Sequence, residues 1–212
     1  MRYAIVVVTI IAALFCRAVF VSVYKMPSQK MAPVILAGDF IFSSKAAYGL
    51  KFPWAEDVYF RTMPEHGNLV VFTKNSKIFI KRVLAVPQDE VEIISGEIWL
   101  NSVKCDYTDF EKTEDLLFRV FEEKCGDSMR KIIKLTDSSK FVQTSKLKLN
   151  NAQFFVANDN RNIEDDLSSA EMISSDQIIG KPLFVWISYS STQDFISKTL
   201  GIRWNRILTK LN

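Results

Sequence analysis

The sequence predicts a mostly β protein: an antiparallel, two-sheet domain with partial-barrel character, carried on one N-terminal transmembrane helix. Three observations point there. An apolar stretch long enough to span a bilayer opens the chain, and short β-branched or aromatic runs follow it between turn signals. The composition, 48% hydrophobic with only 7 Gly and 6 Pro in 212 residues, can bury a core.

Residues 4–24 are almost continuously apolar, interrupted by Arg17. A helix needs about 20 apolar residues to cross a bilayer, so the span must include Arg17. A central arginine costs on the order of 2.5–3.5 kcal/mol, less if the side chain snorkels, and the apolar neighbours offset that. The alternative is a cleavable secretory signal with residues 4–16 as its apolar core. No small-x-small site follows at a suitable distance, and Phe15 before Cys16 argues against a lipoprotein site, so a retained anchor over residues 4–24 is expected. Arg2 and the amino terminus then hold residues 1–3 in the cytoplasm and place residues 25–212 outside it.

Short strands are expected at Val34-Ile35-Leu36, Phe40-Ile41-Phe42, residues 69–73, Ile78-Phe79-Ile80, residues 91–94 and residues 97–101. The last two lie at hairpin distance across Ser95-Gly96. A second group comprises residues 131–135, Phe141-Val142-Gln143, Phe154-Phe155-Val156 and residues 183–186. Between the groups, residues 107–124 are densely charged, as in an insertion on a sheet scaffold, and residues 102–150 as a whole read as the more variable part. Two packed, mostly antiparallel layers suit this pattern.

The formal charge of +3 arises from interspersed Lys, Arg, Asp and Glu without a basic stripe, which argues against nucleic acid as a partner. His66 is the only histidine. A Ser-His-Asp enzyme would have to use it and a zinc site would need other ligands, so neither a metal nor a cofactor is expected. Pro64-Glu65-His66-Gly67 reads as a turn before the apolar residues 69–72. Cys16 lies in the anchor and behaves as a small hydrophobe. Cys105 and Cys125 flank the charged segment, either paired as an extracytoplasmic disulfide or left as two thiols.

Five stretches in order along nearly the whole chain resemble type I signal peptidase. Met26-Pro27-Ser28-Gln29-Lys30-Met31-Ala32-Pro33-Val34-Ile35-Leu36-Ala37-Gly38-Asp39 resembles the family's Pro-Ser-x-Ser-Met-x-Pro-Thr-Leu followed by Gly-Asp. Lys45-Ala46-Ala47-Tyr48-Gly49 is similar to its Lys-x-x-Tyr-Gly segment. Gly67-Asn68-Leu69-Val70-Val71-Phe72, then Phe79-Ile80-Lys81-Arg82-Val83-Leu84-Ala85-Val86-Pro87-Gln88-Asp89, resembles Gly-Asp-Val-Val-x-Phe and Ile-Lys-Arg-x-x-Gly-x-Pro-Gly-Asp. Phe154 to Arg161 is similar to Phe-x-x-Gly-Asp-Asn-Arg, and Ile202-Arg203-Trp204-Asn205-Arg206-Ile207 to the family's C-terminal end.

The resemblance implies a serine–lysine dyad in which a buried, neutral lysine takes the proton of a serine that attacks a peptide carbonyl. Lys81 matches the general base, with strand alternation turning it and Arg82 to opposite faces. The nucleophile position, before Met31, holds Lys30. An acyl group on an amine is an ordinary amide that does not turn over. Ser28 matches a second serine that helps stabilise the oxyanion. Two residues of extended chain, roughly 6.6 Å, would separate it from the nucleophile position on the same face. Glu164 stands at the serine that orients the lysine, and a carboxylate there would favour the ammonium form of Lys81. Asp166 matches a structural aspartate whose arginine partner is replaced by Ser168. Met31, Pro33, Arg82, Asp159, Asn160 and Arg161 match substrate-binding or structural positions. Family glycines are replaced by Ala85, Gln88 and Asn158, with positive φ expected at Gln88 and Asn158.

These departures lead to an expected function: a signal-peptidase-like protein of the export pathway, impaired in catalysis, that binds extended preprotein or signal-peptide segments. Its setting would be the bacterial inner membrane, in contact with lipid and with its domain in the periplasm. The alternative is an active serine endopeptidase, working through Ser28 or specialised for a pilin or conjugation subunit.

Overall fold

A computed structural model describes residues 2–50, 52, 54, 58–95, 97–111, 118–135, 144–161, 170–190 and 201–211. Helix α1, Arg2–Phe20, is long and apolar enough to cross a membrane. Its 19 residues rise about 28 Å, and Ile5, Val8, Ile11 and Leu14 are all exposed. The helix stops four residues short of the expected end of the anchor. Val21–Lys25 instead forms strand β1, whose β-branched and aromatic side chains pair antiparallel with β2, Asp39–Ser44. The helix end is fastened there, with Lys45 Nζ donating to the Ala18 carbonyl at 2.9 Å and the Lys45 amide to that of Phe20 at 2.9 Å.

The mostly β, antiparallel expectation is borne out, and the strands fall into three sheets. The main sheet adds β3 (Leu69–Lys74), β4 (Lys77–Ala85), β12 (Gln153–Ala157), β13 (Ala170–Ser174), β14 (Ile178–Ser190) and β15 (Gly201–Ile202). Its order is β1-β2-β14-β3-β4-β12-β13, with β15 on β14. A second sheet has the order β11-β5-β6-β7, from β5 (Glu90–Ile94), β6 (Glu97–Leu100), β7 (Val103–Lys104) and β11 (Thr144–Lys148). The third is β10-β9-β8, from β8 (Asp106–Glu111), β9 (Phe118–Cys125) and β10 (Ser128–Leu135), so part of the charged region 107–124 is itself a sheet.

The middle of the main sheet is buried on both faces, and the alternation of β3 explains how. Leu69 and Val71 join a cluster with Met26, Met31, Ile35, Ile41, Ile80 and Val185. Val70 and Phe72 join Val83, Phe154, Val156 and Ile173 on the other side. Three register shifts along β14 let one 13-residue strand pair first with β3 and then with β2.

Several expectations are corrected. Val34-Ile35-Leu36 is not a strand: the Ala32–Pro33 peptide is cis, and the chain turns back so that the Ile35 amide bonds the Met31 carbonyl at 2.8 Å. The apolar character there reflects burial of Ile35, not strand pairing. Positive φ occurs at Gln88, at 75°, but not at Asn158. Cys105 and Cys125 are joined in a disulfide. Phe141-Val142-Gln143 lies outside the described residues.

Candidate active site

Strand β4 presents Lys81 and Arg82 to opposite faces, and each finds a carboxylate. Lys81 is buried, its side chain 3% exposed, with Nζ 2.8 Å from Oε1 of Glu171. Glu171, the second residue of β13, stands opposite Val156, which in turn pairs with Val83, so Lys81 reaches it across β12. Lys74, from β3, makes an ion pair with the second oxygen of Glu171. Burial alone would raise the Glu171 carboxyl, but the hydrogen bonds and charges of Lys74 and Lys81 hold it below the ordinary carboxylate value.

Arg82 grips Asp159 with two parallel bonds, Nε to Oδ1 at 2.8 Å and Nη2 to Oδ2 at 2.7 Å. Its third nitrogen, Nη1, donates to the Gly67 carbonyl at 2.7 Å. These bonds fix the segment after β12, and the next residue carries the order to the turn that holds Lys30. The Asn160 amide donates to the Lys30 carbonyl at 3.0 Å, and Asn160 Nδ2 to the Gln29 carbonyl at 3.0 Å. Residues Gln29–Met31 form a single 3-10 turn in which Met31 is fully buried. Ser28 precedes the turn in extended conformation, and its side chain does not cap it. The extended path expected between Ser28 and Lys30 is therefore corrected: a 3-10 turn advances only about 2 Å and rotates about 120° per residue, so the two side chains leave in different directions.

Arg161 turns away from Lys30, into the third sheet. Its Nη1 and Nη2 bond Glu123 Oε1 and Oε2 at 2.5 and 2.8 Å, and Arg130 Nε reaches the same carboxylate at 2.5 Å. Burial would raise the Glu123 carboxyl, but the two guanidinium groups overcome it and bring it down to about 2. The same burial and the Glu123 charge push the Tyr107 hydroxyl up to about 12. Ile133 of β10 completes the contact, its amide donating to the Asp159 carbonyl at 3.0 Å and its carbonyl accepting from the Arg161 amide at 3.0 Å. The charged region thus braces the back of the site.

Beyond the turn that carries Lys30, Asp39 holds the returning chain, accepting from the Leu36 amide at 2.9 Å. This fully buried carboxylate accepts from Ser188 Oγ at 2.5 Å, Arg203 Nη2 at 3.0 Å and Arg206 Nη2 at 2.6 Å. Gly38, at φ 85°, is required beside it, because a Cβ there would lie 1.8 Å from the Tyr189 carbonyl oxygen. His66 sits in a turn, as expected, and its Nε2 lies 2.6 Å from Asp89 Oδ2.

Beside the base of α1 lies a cavity of about 700 Å³, lined by Val19, Ser22, Tyr24, Ile78, Ile178 and Ile179 among others. Tyr24 and Ile179 also pack on the cluster that holds Met31, so this apolar space adjoins the core under the nucleophile position.

The family described as Signal peptidase, peptidase S26 matches residues 1–187. The chain belongs to the signal peptidase family. Signal peptidase I of Rickettsia typhi is 25% identical over 203 residues, covering 85% of this chain and 77% of that relative. Signal peptidase I of Buchnera aphidicola is 25% identical over 244 residues, covering 93% and 77%. A solved signal peptidase I from Enterococcus faecalis aligns with a TM-score of 0.35 and 17% identity, over 57% of this chain and 97% of that one.

Within this signal peptidase scaffold, Lys30, Met31, Arg82, Asp159 and Asn160 form one connected unit, while Lys81 lies on the opposite face of β4 with Glu171. Pro33 shapes the turn behind Met31. Glu164, Asp166 and Ser168 lie outside the described residues. Among the described residues, the carboxylate beside Lys81 is that of Glu171. Glu171, Lys74, Glu123 and Arg130 were not foreseen. Glu171 sits in Ala170-Glu171-Met172-Ile173, too short and too polar to announce a strand, and only recognition of β13 would have placed it opposite Val156.

Proposed function

We propose that this chain is a membrane-anchored signal-peptidase-family protein of the export pathway that binds extended preprotein or signal-peptide segments and is impaired in cleaving them. Lys30 carries the reading. It occupies the turn that Asn160 fastens to the rest of the site, where the family resemblance expects a hydroxyl, and an acyl group passed to its amine would remain as an amide. Ser28 stands outside that turn, so its hydroxyl is not a simple substitute. Binding is supported by the cavity beside α1, placed where an extended segment leaving a bilayer would arrive, and by β1, an edge strand of the main sheet suited to strand addition. The disulfide suits an oxidising compartment and supports an extracytoplasmic, periplasmic domain.

The test incubates the full chain, reconstituted in vesicles, with a preprotein bearing small residues at positions −1 and −3. The expected result is saturable binding without release of a mature product. Cleavage that disappears in Ser28→Ala would overturn the proposal and establish the active alternative.

A further inference from the structure

We propose that Glu171 is the positioning residue of Lys81: from β13 it fixes the lysine side chain and keeps its amine in the ammonium form. This inference rests on reading Lys81 as the general-base position. The geometry is direct, since Lys81 is 3% exposed and its Nζ lies 2.8 Å from Glu171 Oε1. A buried lysine beside apolar groups alone loses its proton readily, whereas one beside a carboxylate keeps it. Apolar groups are present as well, for Val70 lies opposite Lys81 on β3 and Val83 follows it two residues on along β4.

The charged groups around the pair set the balance. From β3, Lys74 shares the Glu171 carboxylate, so it competes with Lys81 for that charge. Arg82 points to the other face and is matched by Asp159. Beyond Asp159, Arg161 and Arg130 are spent on Glu123. A proton acceptor must be a free amine, so a lysine held in this way is unsuited to activating a hydroxyl even where one is supplied.

The experiment reads the charge of Lys81 without any need for turnover. The full chain, labelled at lysine Cε with carbon-13 and held in detergent micelles, is titrated by NMR from pH 7 to pH 12. The Lys81 resonance is assigned as the signal lost in Lys81→Arg. In Glu171→Gln the titration midpoint of Lys81 should fall by more than one pH unit, at least a ten-fold loss of proton affinity, while Glu171→Asp should keep it near the original. Lys74→Gln, a change at a side chain 41% exposed, should move it the opposite way, upward, because Glu171 then serves Lys81 alone. A midpoint that is unchanged in Glu171→Gln overturns the proposal. Should that variant not fold, Lys74→Gln decides alone: a midpoint that stays or falls overturns it. The readout is the charge of Lys81 and not cleavage, so an unchanged midpoint in Glu171→Gln fails this inference, whereas release of a mature product fails the proposed function.

Discussion

Glu123→Gln should destabilise the chain strongly and in a pH-dependent way. Glu123 is fully buried between Arg130 and Arg161, and its carboxyl lies at about 2 instead of the usual 4.5. At 1.36 kcal/mol per pH unit, that difference corresponds to about 3 kcal/mol of stability above the unfolded-state value. The variant also leaves two guanidinium groups sharing a neutral amide, and breaking a buried pair costs roughly 3–5 kcal/mol. Urea unfolding followed by circular dichroism on the detergent-solubilised chain at pH 7 should show a loss in that range. A carboxyl lowered by folding stabilises above its unfolded value and loses that contribution as the pH falls through its folded one. The gap between the parent and Glu123→Gln should accordingly be full at pH 6–7, shrink below about 4.5 and close near 2. A gap under about 1 kcal/mol at neutral pH, or one that stays constant down to pH 2, would refute the reasoning.

Asp39→Asn should weaken the bonds from Arg203 and Arg206 together and cost about 3–5 kcal/mol, with residues 201–211 becoming the first segment to lose protection in hydrogen exchange. Reducing the Cys105–Cys125 disulfide, or replacing both residues with serine, should cost about 3 kcal/mol on the chain-entropy view of a loop with a sequence separation of 20, read as a lower urea midpoint. Gln88→Gly should stabilise by about 0.5 kcal/mol, since relief of the left-handed backbone at φ 75° exceeds the added freedom of the unfolded chain; thermal unfolding checks the sign.

What the sequence disclosed, and what it withheld, divides along the range of the contacts. Residues 69–72 and 79–82 were legible because alternation and apolar content act locally, and the opposed faces of Lys81 and Arg82 followed from the same period. The family motifs drew attention to residues 28–31, but not to the shape of the turn they form. Gln29, Lys30 and Met31 coil because Asn160, more than a hundred residues away, takes the carbonyls of Gln29 and Lys30. Val34-Ile35-Leu36 has strand composition, and the turn around Pro33 overrode it. Glu171 was invisible for the same reason as Glu123. A buried charge is identified by its partner, and partners on other strands carry no periodic signal. The residues that stood out as oddities, Lys30 and Glu164, drew attention to the surroundings of Lys81, but nothing in the local pattern pointed to Glu171.

Phe20 ends α1 and Val21 begins β1, with Lys45 fastened to the carbonyls of both Ala18 and Phe20. The helix is therefore a mast stepped directly into the sheet, without a swivel. On the proposed reading of α1 as a membrane anchor, any tilt of the helix would be carried into the domain as a rotation of the whole sheet, raising or lowering the cavity at its foot. Changes in bilayer thickness would then be felt as changes in access, even with every side chain of the site unaltered.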